Sequence, residues 1–183
     1  MSEEPAVDDV RLRAFFQAQR DPDWRAWLAA MSEKLERLFG AMVGVDAQQW
    51  WTSAGLDHAE SVALEIFPTP ESWLLPQHMF VADQFHRYIG EVFRRAYGGR
   101  WVNKPRYDDA DAVLGYAPVI DRPYDDEYFD PMALLNVALT LRTGTELSDR
   151  FRDEADYVEW CLAGRPELTA WFDVIEDARH DGP

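Results

Sequence analysis

His78-Met79-Phe80-Val81-Ala82-Asp83-Gln84-Phe85-His86-Arg87-Tyr88-Ile89-Gly90-Glu91-Val92-Phe93-Arg94-Arg95-Ala96-Tyr97, closed by Gly98-Gly99, is the stretch on which the fold turns. Val81, Phe85, Tyr88, Ile89, Val92, Phe93 and Ala96 recur at three- and four-residue intervals, the repeat of one face of an α-helix. The stripe is broad enough to meet a core on two sides. The glycine pair then stops the helix. The reading is a long central amphipathic helix.

Beyond the glycines, Arg100-Trp101-Val102-Asn103 reads as a short strand and Ala112–Ile120 as a second, with Pro118 suggesting an edge. Asp130-Pro131 combines a cap with a proline at the first helical position, and an apolar helix follows over Met132–Leu141. A charged amphipathic helix runs over Glu146–Leu162, and Arg165-Pro166 starts a last one through Leu168, Trp171, Phe172 and Ile175.

Toward the N-terminus, Asp21-Pro22 starts a helix carrying Trp24, Trp27, Leu28, Met31, Leu35, Leu38 and Phe39, which ends near Gly40 or Gly44. A shorter helix precedes it over Val10–Gln19. Residues 57–67 are ambiguous between helix and strand, and the alternation Val62, Leu64, Ile66 favours a strand in the second half. The expected fold is α+β and predominantly helical. The expected organisation is one globular domain over 10–178, a disordered acidic tail at 1–9 and a second tail at 179–183.

Composition excludes several classes. The 183 residues are 47% apolar and carry eight Trp, too hydrophobic for a disordered chain. The net charge is −16, which opposes binding to nucleic acid, since that needs a basic surface. A single cysteine, Cys161, allows no intrachain disulfide. The acidic start is unlike a secretion signal, and no apolar run approaches the length of a membrane span. A cytoplasmic location follows as the expectation.

Catalytic signatures are missing: there is no Walker loop, dinucleotide fingerprint, nucleophile elbow or His-Glu-x-x-His. Asp83 and His86 stand three apart on the long helix, like half of a metal-ligand pair, but nothing recognisable completes a site. The acidic run Asp121–Asp130 lacks the alternating pattern of a calcium loop. No metal, cofactor or catalytic residue is assigned. Charge order is more informative. Residues 84–107 hold Arg87, Arg94, Arg95, Arg100, Lys104 and Arg106 against Glu91. Residues 108–130 hold eight acids against Arg122. The two blocks either pair with each other or leave an acidic loop, with Asp108, Asp109, Asp111, Asp125, Asp126 and Glu127, facing a partner.

The segment Tyr88-Ile89-Gly90-Glu91 … Gly98-Gly99-Arg100-Trp101 … Asp130-Pro131 resembles small bacterial domains of unknown function, some encoded beside toxins as immunity proteins. The resemblance covers Phe80 to Leu135. It implies the long helix packed on a small antiparallel sheet, and no established catalysis. Glu91, beside the apolar stripe, needs a partner if ionised, so Glu91 and Trp101 are read as structural, with Glu91 meeting an Arg or the Trp101 indole. The leading expectation is a non-enzymatic acidic protein, an immunity or accessory protein holding a basic protein partner, because opposite charge speeds and selects encounter. One alternative is a small-molecule binder or enzyme with a site near His86, Glu91 and Arg94. Another is a structural subunit of a larger assembly.

Overall fold

The computed structural model describes residues 7–42, 44–104 and 117–171, with residues 7–10 followed at the level of the backbone. In chain order the elements are α1 (Val7–Ala18), α2 (Pro22–Ala29), α3 (Met31–Ala41), α4 (Ser53–Ile66), a 3-10 turn (Ser72–Leu74), α5 (Met79–Tyr97), β1 (Arg100–Asn103), β2 (Pro118–Asp121), α6 (Pro131–Leu141) and α7 (Glu146–Leu162). The fold is α+β and predominantly helical, with a small antiparallel sheet. Among the described residues no helix is long and apolar enough to cross a membrane.

α5 is the axis. Every residue from Gln84 to Phe93 is buried, because α3, α6 and α7 all pack against it. Its apolar stripe supplies Phe85, Tyr88, Ile89, Val92 and Phe93 to a core shared with Leu38, Leu56, Phe67, Leu135, Leu139 and Leu147. Gly98 and Gly99 close the helix at φ +84° and +104°, angles that cost a side-chain-bearing residue 1–2 kcal/mol or so. A Cβ on Gly99 would also stand 2.7 Å from the Asp121 carbonyl oxygen. The glycine pair therefore permits both the helix stop and the tight approach of β2.

β1 and β2 pair in register Arg100 with Asp121, Trp101 with Ile120, Val102 with Val119 and Asn103 with Pro118. The free edges of such a ribbon invite pairing with other chains. Here one edge is blocked by Gln19, whose side-chain amide donates to the Asn103 carbonyl and accepts from the Asn103 N–H. On the other side Ile120 exchanges both backbone bonds with Phe129.

Two expectations need correction. The expected helix from Pro22 to Gly40 is two helices, broken at Ala30, where ψ is 1°. That step lets α2 aim Trp24 and Trp27 inward while α3 presents Leu35 and Leu38 to α5. The expected strand at 62–67 is instead the end of α4. Its fully buried apolar residues, Leu56, Ala59 and Ala63, and Phe67 at its C-cap follow the helical interval, and that set outweighs the alternation of Val62, Leu64 and Ile66, which are only half-buried. A strand would place only part of that set inside, and each large apolar side chain withdrawn from water contributes roughly 1.5–3 kcal/mol.

The ends also differ from expectation. Helix already begins at Val7, inside the expected tail of residues 1–9. The 179–183 tail, Ala112–Tyr116 of the expected second strand, and Phe172 onward lie outside the described residues. Within them, that strand occupies Pro118–Asp121.

α4 is clasped to the start of α7 and to the loop before it. Glu60, fully buried on α4, accepts from the N–H groups of Gly144 and Leu147 at 2.9 and 2.8 Å, at the start of α7. Arg142, in the loop before α7, donates to the carbonyls of Phe67 and Leu64 at the end of α4, both at 3.0 Å. Each helix end leaves backbone groups without intrahelical partners, and here Glu60 of α4 supplies the start of α7 while Arg142, at the C-cap of α6, supplies the end of α4.

Candidate functional site

The N-terminal half of α5 carries a polar cluster among tryptophans. Asp83 takes Trp27 Nε1–H at 2.7 Å and Arg87 Nε–H at 2.8 Å. Arg87 is 2% exposed, yet its charge is met by Asp83, the Trp27 carbonyl at 2.6 Å and the Trp27 ring face at 3.9 Å. A buried guanidinium is tolerated when it is paired and bonded in this way. His86 lies one turn before Gly90 and sets its Nε2 3.1 Å from the Pro118 carbonyl. A carbonyl only accepts, so Nε2 carries the hydrogen. Burial pushes the imidazole below its usual pKa, against the opposing pull of Asp130 and Asp83, and the ring is neutral at pH 7. These residues line a groove of about 850 Å³ whose walls include Trp27, Trp73, Phe80 and Met132.

Farther along α5, Glu91 is 5% exposed and fully engaged. It accepts from Arg94 Nε and Nη2 at 2.7 and 3.0 Å, from Arg95 Nε at 3.3 Å and from Trp101 Nε1 at 2.8 Å. Burial opposes the charge, but the bonds from Arg94 and Trp101 and the Arg94 charge outweigh it and hold the carboxyl below its usual range. Trp101 packs edge-on to Trp27 and His86, with centroids at 5.0 and 5.6 Å. Its ring lies so close over Gly90 that a Cβ there would sit 2.2 Å from Cη2. The structure therefore brings His86 and Glu91 to the same indole, but gives Glu91 and Arg94 to each other. As a site for chemistry, His86, Glu91 and Arg94 do not converge.

The loop after β2 separates the acids that the sequence grouped. Asp125 turns inward, its side chain 8% exposed, bonded to Arg122 and 3.4 Å from Arg165. Arg122 also donates to Glu154 at 2.7 Å, and Glu154 in turn takes Tyr124 Oη–H at 2.8 Å and Arg150 Nη2–H at 2.8 Å. Burial works against the Asp125 charge and the Arg122 charge outweighs it, leaving the carboxyl below its usual range. Asp126 and Glu127 are exposed. Asp108, Asp109 and Asp111 lie outside the described residues. Of the two charge blocks, Arg100 and Asp121 do pair, at 2.8 Å across the strands. The other described arginines of the basic block take Asp83 and Glu91 on their own helix.

Sequence reasoning missed the bonds of Trp27 to Asp83, Trp73 to Asn136, and Arg122 and Tyr124 to Glu154, which span 30 to 63 residues. Arg87 was closer to reach: Asp83 stands four residues before it, the spacing of a helical ion pair. Among the described residues no three His, Cys, Asp or Glu side chains gather as metal ligands. No known protein family, curated protein or solved structure matches this chain.

Proposed function

We propose that this chain is a non-enzymatic acidic binding protein, of the immunity or accessory kind, that holds a basic protein partner through the acidic segment after β1. The observation that carries the reading is charge. The chain bears −16, and within its most acidic segment Asp126 and Glu127 are exposed while Asp125 is committed to Arg122. Asp121, Asp125 and Asp130 serve Arg100, Arg122 and the α6 cap, but isolated surface ion pairs add at most about 1 kcal/mol to a fold, so stability gives little reason to add exposed Asp126 and Glu127 beside them. A partner with a positive face would relieve their mutual repulsion and gain association rate from the field.

The test is a pull-down from the native host with two baits in parallel: the wild-type chain, and a variant with Asp108, Asp109, Asp111 and Asp126 changed to Asn and Glu127 to Gln. Asp125 is left intact because it holds Arg122. A basic protein captured by the wild type, released by moderate salt and lost with the variant supports the reading. Equal capture by both baits refutes it. A second reading, a small-molecule binder near His86, is favoured by the aromatic groove beside that residue.

A further inference from the structure

The groove holds two acceptors that have no hydrogen-bond partner among the described residues. His86 is 4% exposed and commits Nε2–H to Pro118, so Nδ1 of the neutral ring is a bare acceptor. Asp130, which also lines the groove, spends Oδ1 on the N–H groups of Met132 and Ala133 at 2.9 and 3.1 Å. Its Oδ2 has no partner among the described residues. The other charged residues lining the groove are Asp23, Asp83, Lys34 and Arg87, so with Asp130 its walls carry three acids against two bases. Arg87 is matched by Asp83 and by the face of Trp27. Lys34 sits 4.1 Å over the Phe80 ring, six residues and roughly 9 Å along α5 from His86. What remains for a ligand is one carboxylate oxygen, one imidazole nitrogen and aromatic walls in a space of about 850 Å³, the size of small-ligand sites.

We propose that this groove binds a small organic cation, a primary ammonium on an apolar body. Its N–H groups donate to Asp130 Oδ2 and His86 Nδ1, and its body lies against Trp73 and Met132. An anion is disfavoured because the acids lining the groove outnumber the bases by one, Asp23, Asp83 and Asp130 against Lys34 and Arg87. A neutral apolar molecule would leave both acceptors desolvated without a donor, which is costly. The site rests on the groove alone and is independent of the acidic-loop partner.

Titration calorimetry tests it with 2-phenylethylammonium, its neutral analogue 2-phenylethanol and the anion 3-phenylpropanoate. The ammonium is expected to bind saturably and at least about tenfold more tightly than the alcohol, the worth of a charge-assisted bond, and the anion is expected not to bind. Asp130→Asn keeps an equally good helix cap but removes the charge, and Ala133→Trp fills the groove from an exposed position. Both are expected to weaken the ammonium about tenfold or more, with melting held within a few degrees. No saturable heat at millimolar ammonium overturns the proposal. So does equal binding of the anion, or unchanged binding by both variants. Binding only of a lysine within an apolar peptide, with the free amine silent, also overturns the small-ligand assignment. Titrating the variant with the acidic loop neutralised keeps the two proposals apart: it is expected to bind the amine as wild type does.

Discussion

Gly90→Ala is the sharpest perturbation of this fold. In an ordinary exposed helix the change gains about 1 kcal/mol of propensity. Here the new methyl would meet Trp101 Cη2 and Cζ2 at 2.2 and 2.3 Å and Pro131 Cγ at 3.0 Å. Carbon atoms rest at about 3.5–4.0 Å, so the indole must move by more than about 1 Å. It is not free to do so, since Nε1 is bonded to the buried Glu91 at 2.8 Å and the ring abuts Trp27 and His86. Overpacking of this kind costs about 1–3 kcal/mol, and loosening the bond to an ionised, buried carboxylate adds about 1.5–3 kcal/mol. After the propensity gain the net loss is about 1.5–5 kcal/mol, or about 3–20 °C in Tm for a chain of this size. Urea denaturation measures it. A double variant, Gly90→Ala with Trp101→Leu, should show the alanine as neutral or stabilising once the ring is gone. If Gly90→Ala alone is as stable as wild type, the indole is not pinned over the helix and the account of Glu91 fails with it.

Three further outcomes are expected. The His86 pKa is lowered by folding, so the unfolded chain binds the extra proton first; its contribution is whole above about pH 6.5 and is lost as pH falls below that value. Stability curves of wild type and His86→Gln should therefore converge below pH 6.5, and parallel curves would show the imidazole is not held neutral. Glu60→Ala leaves the Gly144 and Leu147 N–H groups without their acceptor and should cost about 2 kcal/mol, with faster hydrogen exchange at those two amides; unchanged exchange would refute the clasp. Asp125→Asn should destabilise by about 1–3 kcal/mol by leaving Arg122 under-paired, whereas Asp126→Asn should be neutral in the same melting assay; equal effects would place Asp125 on the surface.

What the sequence disclosed was periodic or local. α5 was legible because its apolar positions repeat along the whole element. The Asp21 and Asp130 caps were legible because cap and proline are adjacent, and both carboxylates do accept from the first helical N–H groups. The α4 strand error came from reading three aliphatic residues by alternation, when the small residues Ala59 and Ala63 were setting the buried face. The groove was illegible for a different reason. His86 and Asp83 were visible as a pair, but Trp27, Trp73 and Asp130 reach them only through tertiary packing. Asp125 could not be told from Asp126 because the difference lies in which way the loop turns toward Arg122 and α7.

The clasp of α4 by Arg142 and the start of α7 also has a consequence for biosynthesis. The Glu60 carboxylate and the Leu147 amide that it holds are 87 residues apart, a gap that takes about 4–17 s to translate. Throughout that interval the nascent chain has α4 sequence with a carboxylate destined for the interior and terminal carbonyls lacking their arginine. Water satisfies these groups only while α4 stays undocked, so the chain emerging from the ribosome is held open until α7 arrives. Chains released before residue 147 lack the acceptor's partner altogether, and these truncated products are the ones expected to recruit chaperones and proteases.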